Sequence, residues 1–354
     1  MAPVTLAQAA LNTTDDLDLT VIDEFRKESA LLDRMSFDPV VSPVGGGATL
    51  TYTYTRLLTE RGANFRKVNT EYTDQQATRG RTSVDLVPLG GRFSIDRVVA
   101  QLGPNATSEL TLQVQQLVKG VRATFQEALI NGTGDGDFNT GGGGSAPDYL
   151  GFEGLDSILA GTSTELGVGT VFADLAGHDW SAVNSQASAF TAMEALDELI
   201  DAVDGRPDVI MGNRRSVLRL KQIGRWAGYY SQTEDAFGRK VDMFDGIQLV
   251  DLGDGPVSSA PRANPIIPIE SRDLDGAGTG TAEPGLTDIY AVRFGMDSFH
   301  GVSCLGAPLI KTWMPDFSTA GAVKPGEAEM GPVAVVLKNT RGAAVLRNIK
   351  VQDS

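Results

Sequence analysis

The 354-residue sequence has only one cysteine, Cys304, which excludes an intrachain disulfide and any zinc site built from several cysteines. It also has only two histidines, His178 and His300, whose separation does not match the spacing of metal ligands. No run approaches the roughly 20 apolar residues of a membrane span, and the first residues lack the basic and apolar regions of a secretory signal. We therefore predict no metal, no cofactor and no membrane segment.

Recognisable catalytic groups are missing as well. Ser303 and Cys304 are not part of a G-x-S-x-G elbow, and Cys304 lies in an apolar segment that predicts a small buried thiol. Glu194 and Glu198 fall on the outer face of a predicted helix. Because no nucleophile, base and orienting group come together, we assign no catalytic residue. A hydrolase that uses Ser303 or His300 remains a distant alternative.

The charge balance is acidic. The chain has 45 acidic residues against 30 basic ones, a net charge of -15, and 41% of its residues are hydrophobic. This composition is typical of a folded protein with a large core. It argues against a dedicated nucleic-acid binder, which usually has a basic domain. The negative charge can also simply keep a concentrated protein in solution.

Residues 48–131 organise the rest of the chain. Threonines alternate with Leu50, Tyr52 and Tyr54 over residues 48–55, which is the period of a β-strand. A return strand is predicted over residues 82–96. It contains Pro88, which cannot donate a hydrogen bond to a neighbouring strand, so we expect a sheet edge or a bulge there. An isolated two-stranded ribbon is only marginally stable, and this ribbon is therefore expected to lie on another surface.

The connector between these strands, residues 56–81, is basic. It holds six basic and three acidic residues, a net charge of +3 within an acidic chain. A basic projection on an acidic protein is attracted to another copy of that protein, although an ordinary solvated hairpin is the alternative. The candidate inter-subunit contacts are the six basic residues and two tyrosines of the first strand: Arg56, Arg61, Arg66, Lys67, Arg79, Arg81, Tyr52 and Tyr54.

Long helices and an N-terminal arm surround the ribbon. Helical spacing of apolar residues predicts a helix over residues 105–131, about 40 Å long, with Asn105 as its cap and a stop at Asn131. Residues 1–43 form an arm with a predicted helix at 20–35. The arm can wrap a neighbouring subunit, which we favour, or pack on its own core.

The second half of the chain predicts an α/β layer. An acidic helix over residues 191–203 is followed by a buried strand at 208–211 and a basic helix at 214–226 capped by Asn213. Residues 228–244 are predicted as a loop. Residues 332–338 and 343–351 are predicted as a closing hairpin. Further strands are expected at 246–252, 266–270, 288–294, 301–305 and 309–313.

Four segments together carry a resemblance: VIDEFRKESALLDRMSFDPV at 21–40, YTYTRLLTERGANFRKVNTEY at 52–72, LVPLGGRFSIDRVV at 86–99 and RFGMDSFHGVSCLG at 293–306. They are similar to one branch of the major capsid proteins of tailed bacteriophages, which have the α+β Hong-Kong-97-type fold. The resemblance covers nearly the whole chain. It rests on the order of the parts and not on a catalytic motif.

The resemblance implies a division of the chain. Residues 1–43 would be the N-arm and residues 44–101 the extended loop, or E-loop, that lies over an adjacent subunit. The peripheral domain would combine residues 102–185, including the spine helix at 105–131, with the closing hairpin at 314–354. The axial domain would span residues 186–313, with residues 228–244 near the centre of a capsomer.

It also implies a function and partners. The chain would assemble with itself into hexamers and pentamers of an icosahedral shell around double-stranded DNA, without sequence-specific binding. Assembly would occur in the bacterial cytoplasm, and the mature shell would belong to the virion. Since only about forty residues precede the ribbon, we expect a separate scaffolding protein and no cleaved scaffold segment. A portal protein, a potential decoration protein and procapsid maturation are further expectations. The main alternative is an encapsulin-like bacterial compartment of the same fold.

Overall fold

The computed structural model describes residues 31–32, 34–41, 49–59, 61–74, 76–100, 109–134, 151–169, 172, 175–228, 231–234, 240–255, 265–274, 282–304 and 310–353. Most of the predicted arm helix at 20–35 and the predicted cap at Asn105 lie outside these residues.

Fifteen strands and five helices are assigned in this part of the chain. The strands are β1 Phe37–Val41, β2 Thr51–Thr59, β3 Thr78–Asp85, β4 Val87–Asp96, β5 Glu165–Leu166, β6 Val209–Gly212, β7 Ser231–Glu234, β8 Lys240–Phe244, β9 Ile247–Asp251, β10 Glu270–Arg272, β11 Glu283–Val292, β12 Phe299–Cys304, β13 Ile310–Trp313, β14 Val323–Leu337 and β15 Ala343–Lys350. The helices are α1 Arg97–Ala100, α2 Glu109–Asn131, α3 Leu155–Leu159, α4 Gln186–Ala202 and α5 Arg214–Ala227.

The first sheet is built around the long strand β14. Its N-terminal half lies between β4 and β13, and its C-terminal half pairs with β12, which in turn pairs with β1. Helix α2, predicted by its helical periodicity, packs across this sheet and buries Phe125 and Leu129 completely. Gly91 of β4 lets the helix approach closely, since a Cβ there would lie 2.6 Å from Leu117 Cδ1.

The predicted return strand at 82–96 is in fact two strands. Residues up to Asp85 pair with β2, whereas β4 pairs with β14 of the first sheet. The buried side chain of Leu86 lies at the change of partner. Among the described strands β4 pairs only with β14, and the register shifts beside Pro88. The prediction that the whole segment 82–96 returns along the ribbon is therefore wrong, while the expectation of an edge or a bulge at Pro88 is confirmed.

The second sheet has eight strands in the order β5-β15-β11-β6-β9-β8-β7, with β10 on β11. Strands β6 and β9 are parallel, and α5 is the crossover between them. Helices α4 and α5 bury Leu196, Leu199, Leu220 and Ile223 in one core cluster with this sheet. Both helices and the Asn213 cap, which accepts a hydrogen bond from the Ser216 backbone N–H at 2.9 Å, confirm the sequence predictions. The predicted loop at 228–244 contains instead the hairpin β7–β8.

The predicted closing hairpin is wrong. After the 3₁₀ turn Thr340–Gly342, β15 joins the second sheet against β11, while β14 stays in the first sheet. The C-terminal half of β14 and most of β15 are buried. A strand that is apolar on both faces can pair equally well with several other buried strands, so closeness in sequence does not decide which pairing forms. The backbone passes from the first sheet to the second through residues 338–342.

The described end of the arm packs on the chain itself. Leu31 and Met35 are buried in the core of the first sheet, and β1 pairs in parallel with β12, with Phe37 opposite Gly301. The described residues between 31 and 41 therefore pack on the chain's own core, which is not the arrangement that we favoured from the sequence.

Candidate assembly interface

Strands β2 and β3 form a separate two-stranded ribbon. Thr51 pairs with Asp85 at its base, and Thr59 pairs with Thr78 towards its tip. Side chains reinforce both ends: the Thr51 hydroxyl donates to the Asp85 carboxylate at 2.6 Å, and the hydroxyls of Thr59 and Thr78 lie 2.5 Å apart. The alternation of threonine with larger residues thus produces the ribbon that the sequence predicted.

Three of the predicted contact residues anchor the ribbon to the chain itself. Arg56 Nη2 donates to the Leu337 carbonyl at 2.7 Å and Nε donates to the Lys338 carbonyl at 3.1 Å. The Tyr54 hydroxyl donates to the same Leu337 carbonyl at 3.2 Å. Tyr52 is buried in the core, with Lys338 Nζ 5.6 Å from its ring centroid. These contacts favour an intrachain role for Tyr52, Tyr54 and Arg56.

The other five predicted contact residues are exposed. Arg79 and Arg81 lie on β3, and Arg61, Arg66 and Lys67 lie in the segment beyond the paired strands. All described residues from 61 to 74 are exposed, so this segment, the ribbon tip, projects from the body. A turn orders it locally: the Thr70 N–H donates to the Lys67 carbonyl at 3.2 Å, and Asn69 adopts a φ of 68°.

The ribbon tip also exposes apolar side chains that the sequence analysis missed. Phe65 is fully exposed, Val68 is 87% exposed and Tyr72 is 63% exposed. The Arg66 guanidinium lies 5.2 Å from the Tyr72 ring centroid. Aromatic residues and arginine are enriched where proteins contact each other. The signal in the sequence was the presence of large apolar residues within a charged, unpaired connector.

A buried ionic network stabilises the second sheet. Asp288 accepts two hydrogen bonds from Arg272, at 2.6 and 2.9 Å, and one from the Asn348 backbone N–H at 3.0 Å. Arg347 lies 3.5 Å from Asp288 and also pairs with Asp156 and Glu165. Two guanidinium groups are shared among three carboxylates, and each of these carboxylates has a cationic partner. The network therefore has the composition expected of ion pairs that stabilise the fold.

Both histidines and the single cysteine are buried. His300 is buried, its ring nitrogens have no hydrogen-bond partner among the described residues, and burial lowers its pKa. Burial raises the pKa of the Cys304 thiol, which confirms the expected buried thiol. Ser303 is three residues from His300 on the same strand, so the two side chains point to opposite faces. His178 is buried elsewhere, beside Gly167.

The described residues offer neither a metal site nor a membrane-spanning helix. The His, Cys, Asp and Glu side chains in this part of the chain form no group of three that could hold a metal ion. Every described helix is too short or too polar to cross a membrane.

No protein-family model matches the chain, and no curated protein matches it either. Solved structures do match over nearly the full length. The SrpI encapsulin of Synechococcus elongatus has a TM-score of 0.60 at 13% identity, covering 99% of this chain and 98% of the encapsulin. The capsid of Myoviridae phage XM1 has a TM-score of 0.57 at 12% identity, covering 98% and 100%. The capsid of a native GTA particle has a TM-score of 0.56 at 13% identity, covering 97% of each chain.

These matches span both sheets, the long helix and the ribbon, because almost the whole chain is covered. At such low identity they report the fold and not the activity. The resemblance inferred from the sequence is confirmed at that level: the chain has the α+β Hong-Kong-97-type capsid fold.

Proposed function

We propose that this chain is the major capsid protein of a tailed bacteriophage, assembling with itself into the hexamers and pentamers of an icosahedral shell around double-stranded DNA. The observation that carries the proposal is the ribbon tip. It exposes Phe65, Val68 and Tyr72 together with three basic side chains. Exposed apolar groups of this size are costly in a free monomer and are usual at protein contacts.

The proposed division of the chain follows the two sheets. The N-arm is residues 1–43, and the E-loop is residues 44–101, of which β2, β3 and the tip project. The first sheet and α2 form the peripheral domain, and the second sheet with α4 and α5 forms the axial domain. Compared with the boundaries at 102–185, 186–313 and 314–354, this assignment moves β12 and β13 to the peripheral domain and β5 and β15 to the axial domain. Strand β1 of the N-arm and strand β4 of the E-loop contribute to the peripheral sheet.

In the assembled shell, the ribbon tip would lie on an adjacent subunit. Its basic residues Arg61, Arg66 and Lys67 suit the acidic body of a second copy, since the whole chain has a net charge of -15. Arg79 and Arg81 on β3 would extend the basic strip. Tyr52, Tyr54 and Arg56 would instead hold the base of the ribbon at a fixed angle through their contacts with residues 337–338.

The acidic charge also suits a wall around DNA. Affinity for DNA phosphates rises with the number of cationic contacts. An acidic shell would therefore enclose a duplex without binding it tightly or with sequence specificity. We further propose a separate scaffolding protein during assembly in the bacterial cytoplasm, followed by maturation of the procapsid into the virion. A portal protein and, in some shells, a decoration protein would complete the set of partners.

An encapsulin-like compartment is the second candidate. The specific observation in its favour is the TM-score of 0.60 to an encapsulin, which is similar to the scores of the phage capsids. Particle contents distinguish the two functions: long DNA supports the virus, and a packaged protein supports the compartment.

The test is expression of the chain with its candidate scaffold, followed by electron microscopy of the pelleted fraction. We expect closed, uniform shells. Replacing Phe65 and Val68 by serine should sharply lower the shell yield, because both substitutions remove apolar surface from the tip. The matched control is Val168→Ser, since Val168 is 68% exposed on the body away from the tip. Absence of shells from the parent chain would contradict the proposal, and full assembly of the tip variant would contradict the role of the tip.

A further inference from the structure

The two helices of the second sheet carry opposite charges. Helix α4 has four acidic residues and no basic one, whereas α5 has five basic residues and no acidic one. Both helices bury their apolar faces in the same core cluster. Their charged faces therefore point outwards, and two surfaces of opposite sign lie side by side on one layer of the protein.

The outer face of α5 has the composition of a protein contact. Arg215, Arg219, Gln222 and Trp226 follow each other at helical spacing. Trp226 is 51% exposed and Leu218 beside this row is 42% exposed. An open groove of about 480 Å³ runs along the row, lined by Val183, Arg219, Gln222, Arg225 and Trp226. Exposed tryptophan next to arginine is the combination most enriched at energetically important contacts.

The outer face of α4 is the chemical complement of this groove. Phe190, Glu194, Asp197 and Asp201 lie on one stripe of the helix, since their spacings are four, three and four residues. Phe190 is 42% exposed. Partial burial, followed by the negative charges of Asp245 and Glu194, raises the pKa of Asp197. The stripe thus presents one aromatic ring followed by three carboxylates that repel each other.

The chain neutralises only part of this charge internally, since Lys221 of α5 pairs with Asp242 at 2.5 Å. Within the part of the chain that the structure describes, no salt bridge joins α4 to α5, and Arg214, Arg215, Glu194 and Asp197 form none with any other described residue. An acidic helix face beside a basic one is a surface on which an oppositely charged partner gains both affinity and orientation.

We propose that the α4 stripe of one copy docks in the α5 groove of the next copy, head to tail around a ring. Phe190 would fill the groove beside Trp226, and Glu194 and Asp197 would face the arginines of α5. Two different complementary patches on one chain form a heterologous contact, which closes into a ring when the rotation is right. The inference rests on the proposed self-assembly and specifies a contact of the axial layer, separate from the ribbon tip.

A second copy of the chain would bind both the acidic stripe of α4 and the basic groove of α5, whereas any other partner would bind only one of them. A nucleic acid would use the basic groove and would be indifferent to the acidic stripe. A basic scaffold segment would use the stripe and leave the exposed Trp226 unexplained. Changes on either helix should therefore impair assembly equally if the partner is another copy.

The test uses two charge-reversed forms of the full chain. In the first, Glu194→Lys and Asp197→Lys make α4 basic. In the second, Arg214→Glu and Arg215→Glu make α5 acidic. Each form alone should assemble at least about tenfold less than the parent, which corresponds to about 1.4 kcal/mol per contact. When the two forms are coexpressed, each contact again joins opposite charges, so assemblies containing both forms in equal amounts should reappear.

Recovery by coexpression separates a contact between copies from an effect within one chain, because mixing cannot repair repulsion inside a single chain. The matched control reverses two exposed carboxylates elsewhere, Glu153→Lys and Asp251→Lys, and should assemble like the parent. Circular dichroism and thermal melting of the unassembled chains check folding. If a reversed form does not fold, the neutral pairs Glu194→Gln with Asp197→Asn and Arg214→Gln with Arg215→Gln replace it, and each is expected to weaken assembly.

The outcomes separate this proposal from the proposed function. Parent-like assembly of either folded variant, or failure of the coexpressed pair to assemble, overturns the helix contact while shells of the parent chain still support the capsid function. A parent chain that stays monomeric with its scaffold overturns both. Loss of assembly only in the α5 variant, with the α4 variant like the parent, overturns the contact in favour of a nucleic acid or another acidic partner.

Discussion

Replacing Asp288 by asparagine tests whether the buried ionic network holds the second sheet together. Asp288 is only 4% exposed. Its carboxylate accepts hydrogen bonds from Arg272 and from the Asn348 backbone N–H, and it lies 3.5 Å from Arg347. Asparagine has nearly the same shape, so the packing stays, while the negative charge is removed and one of the two acceptor oxygens is replaced by an NH₂ donor. The two partly buried guanidinium groups then lose their shared counter-charge, although Arg272 retains Glu270.

The structure sets the expected magnitude. Removing one partner of a buried, hydrogen-bonded ion pair typically costs about 3–5 kcal/mol, because the remaining charge stays buried without compensation. That is a large fraction of the roughly 5–15 kcal/mol that separates folded from unfolded domains. Arg347 retains Asp156 and Glu165, so we expect the lower end of the range, about 3 kcal/mol.

The measurement is urea unfolding of the unassembled chain, followed by circular dichroism. The urea concentration at the midpoint of unfolding should fall, while the slope of the unfolding free energy against urea concentration stays the same. The control is Asp245→Asn, which breaks the exposed pair between Asp245 and Arg206, whose side chains are 74% and 60% exposed. Exposed pairs contribute about 0.2–1 kcal/mol. If Asp288→Asn lowers the free energy of unfolding by no more than the control does, the view that the network stabilises the second sheet is refuted.

Three further predictions concern packing, pH and the ribbon. Gly154→Ala should destabilise the chain by about 1–3 kcal/mol, because the added Cβ would lie 2.5 Å from both Gly132 N and Ile130 O. Gly120→Ala in α2 should instead stabilise it by about 0.5–1 kcal/mol, because an added Cβ would have nothing within 4 Å. Equal changes in the free energy of unfolding, measured in urea, would contradict this. Burial and then Lys338 lower the pKa of His300, so the unfolded state binds its proton more readily and the free energy of unfolding should fall as the pH drops below 6.5. Burial also lowers the pKa of His178, which contributes a slope of the same sign. His300→Gln should therefore reduce the slope without abolishing it, and an unchanged slope would exclude His300 as a source. Arg56→Ala removes the hydrogen bonds that anchor the ribbon, so trypsin should cleave β3 faster at an unchanged global melting temperature; an unchanged cleavage rate would show that the anchor is unimportant.

Much of the local structure was predictable from residue spacing. Helices α2, α4 and α5 follow from apolar residues at helical intervals, and the Asn213 cap follows from its position before a periodic run. The alternation over residues 48–55 identified β2, and Pro88 identified an edge. The opposite charges of α4 and α5 are also visible in the sequence. In each case the signal lies within a few residues, where backbone geometry dictates which side chains share a face.

Other features were decided by contacts between distant residues. Alternation showed that Tyr52 and Tyr54 share a face of β2 but not that this face meets residues 337–338. Asp288 lies in an apolar strand with no local sign that Arg272 and Arg347 converge on it. The charged connector gave no period that would single out Phe65, which is exposed because residues 61–74 leave the ribbon without a partner.

The sequence by itself determined the helices, the ribbon, the overall acidity and the absence of disulfides. Only the tertiary structure decided that β14 and β15 enter different sheets and that β4 leaves the ribbon for β14. The physical reason is that local spacing sets the period of an element and the faces it presents. The choice among several apolar partners depends instead on which long-range pairing buries the most surface and satisfies every buried backbone group at once.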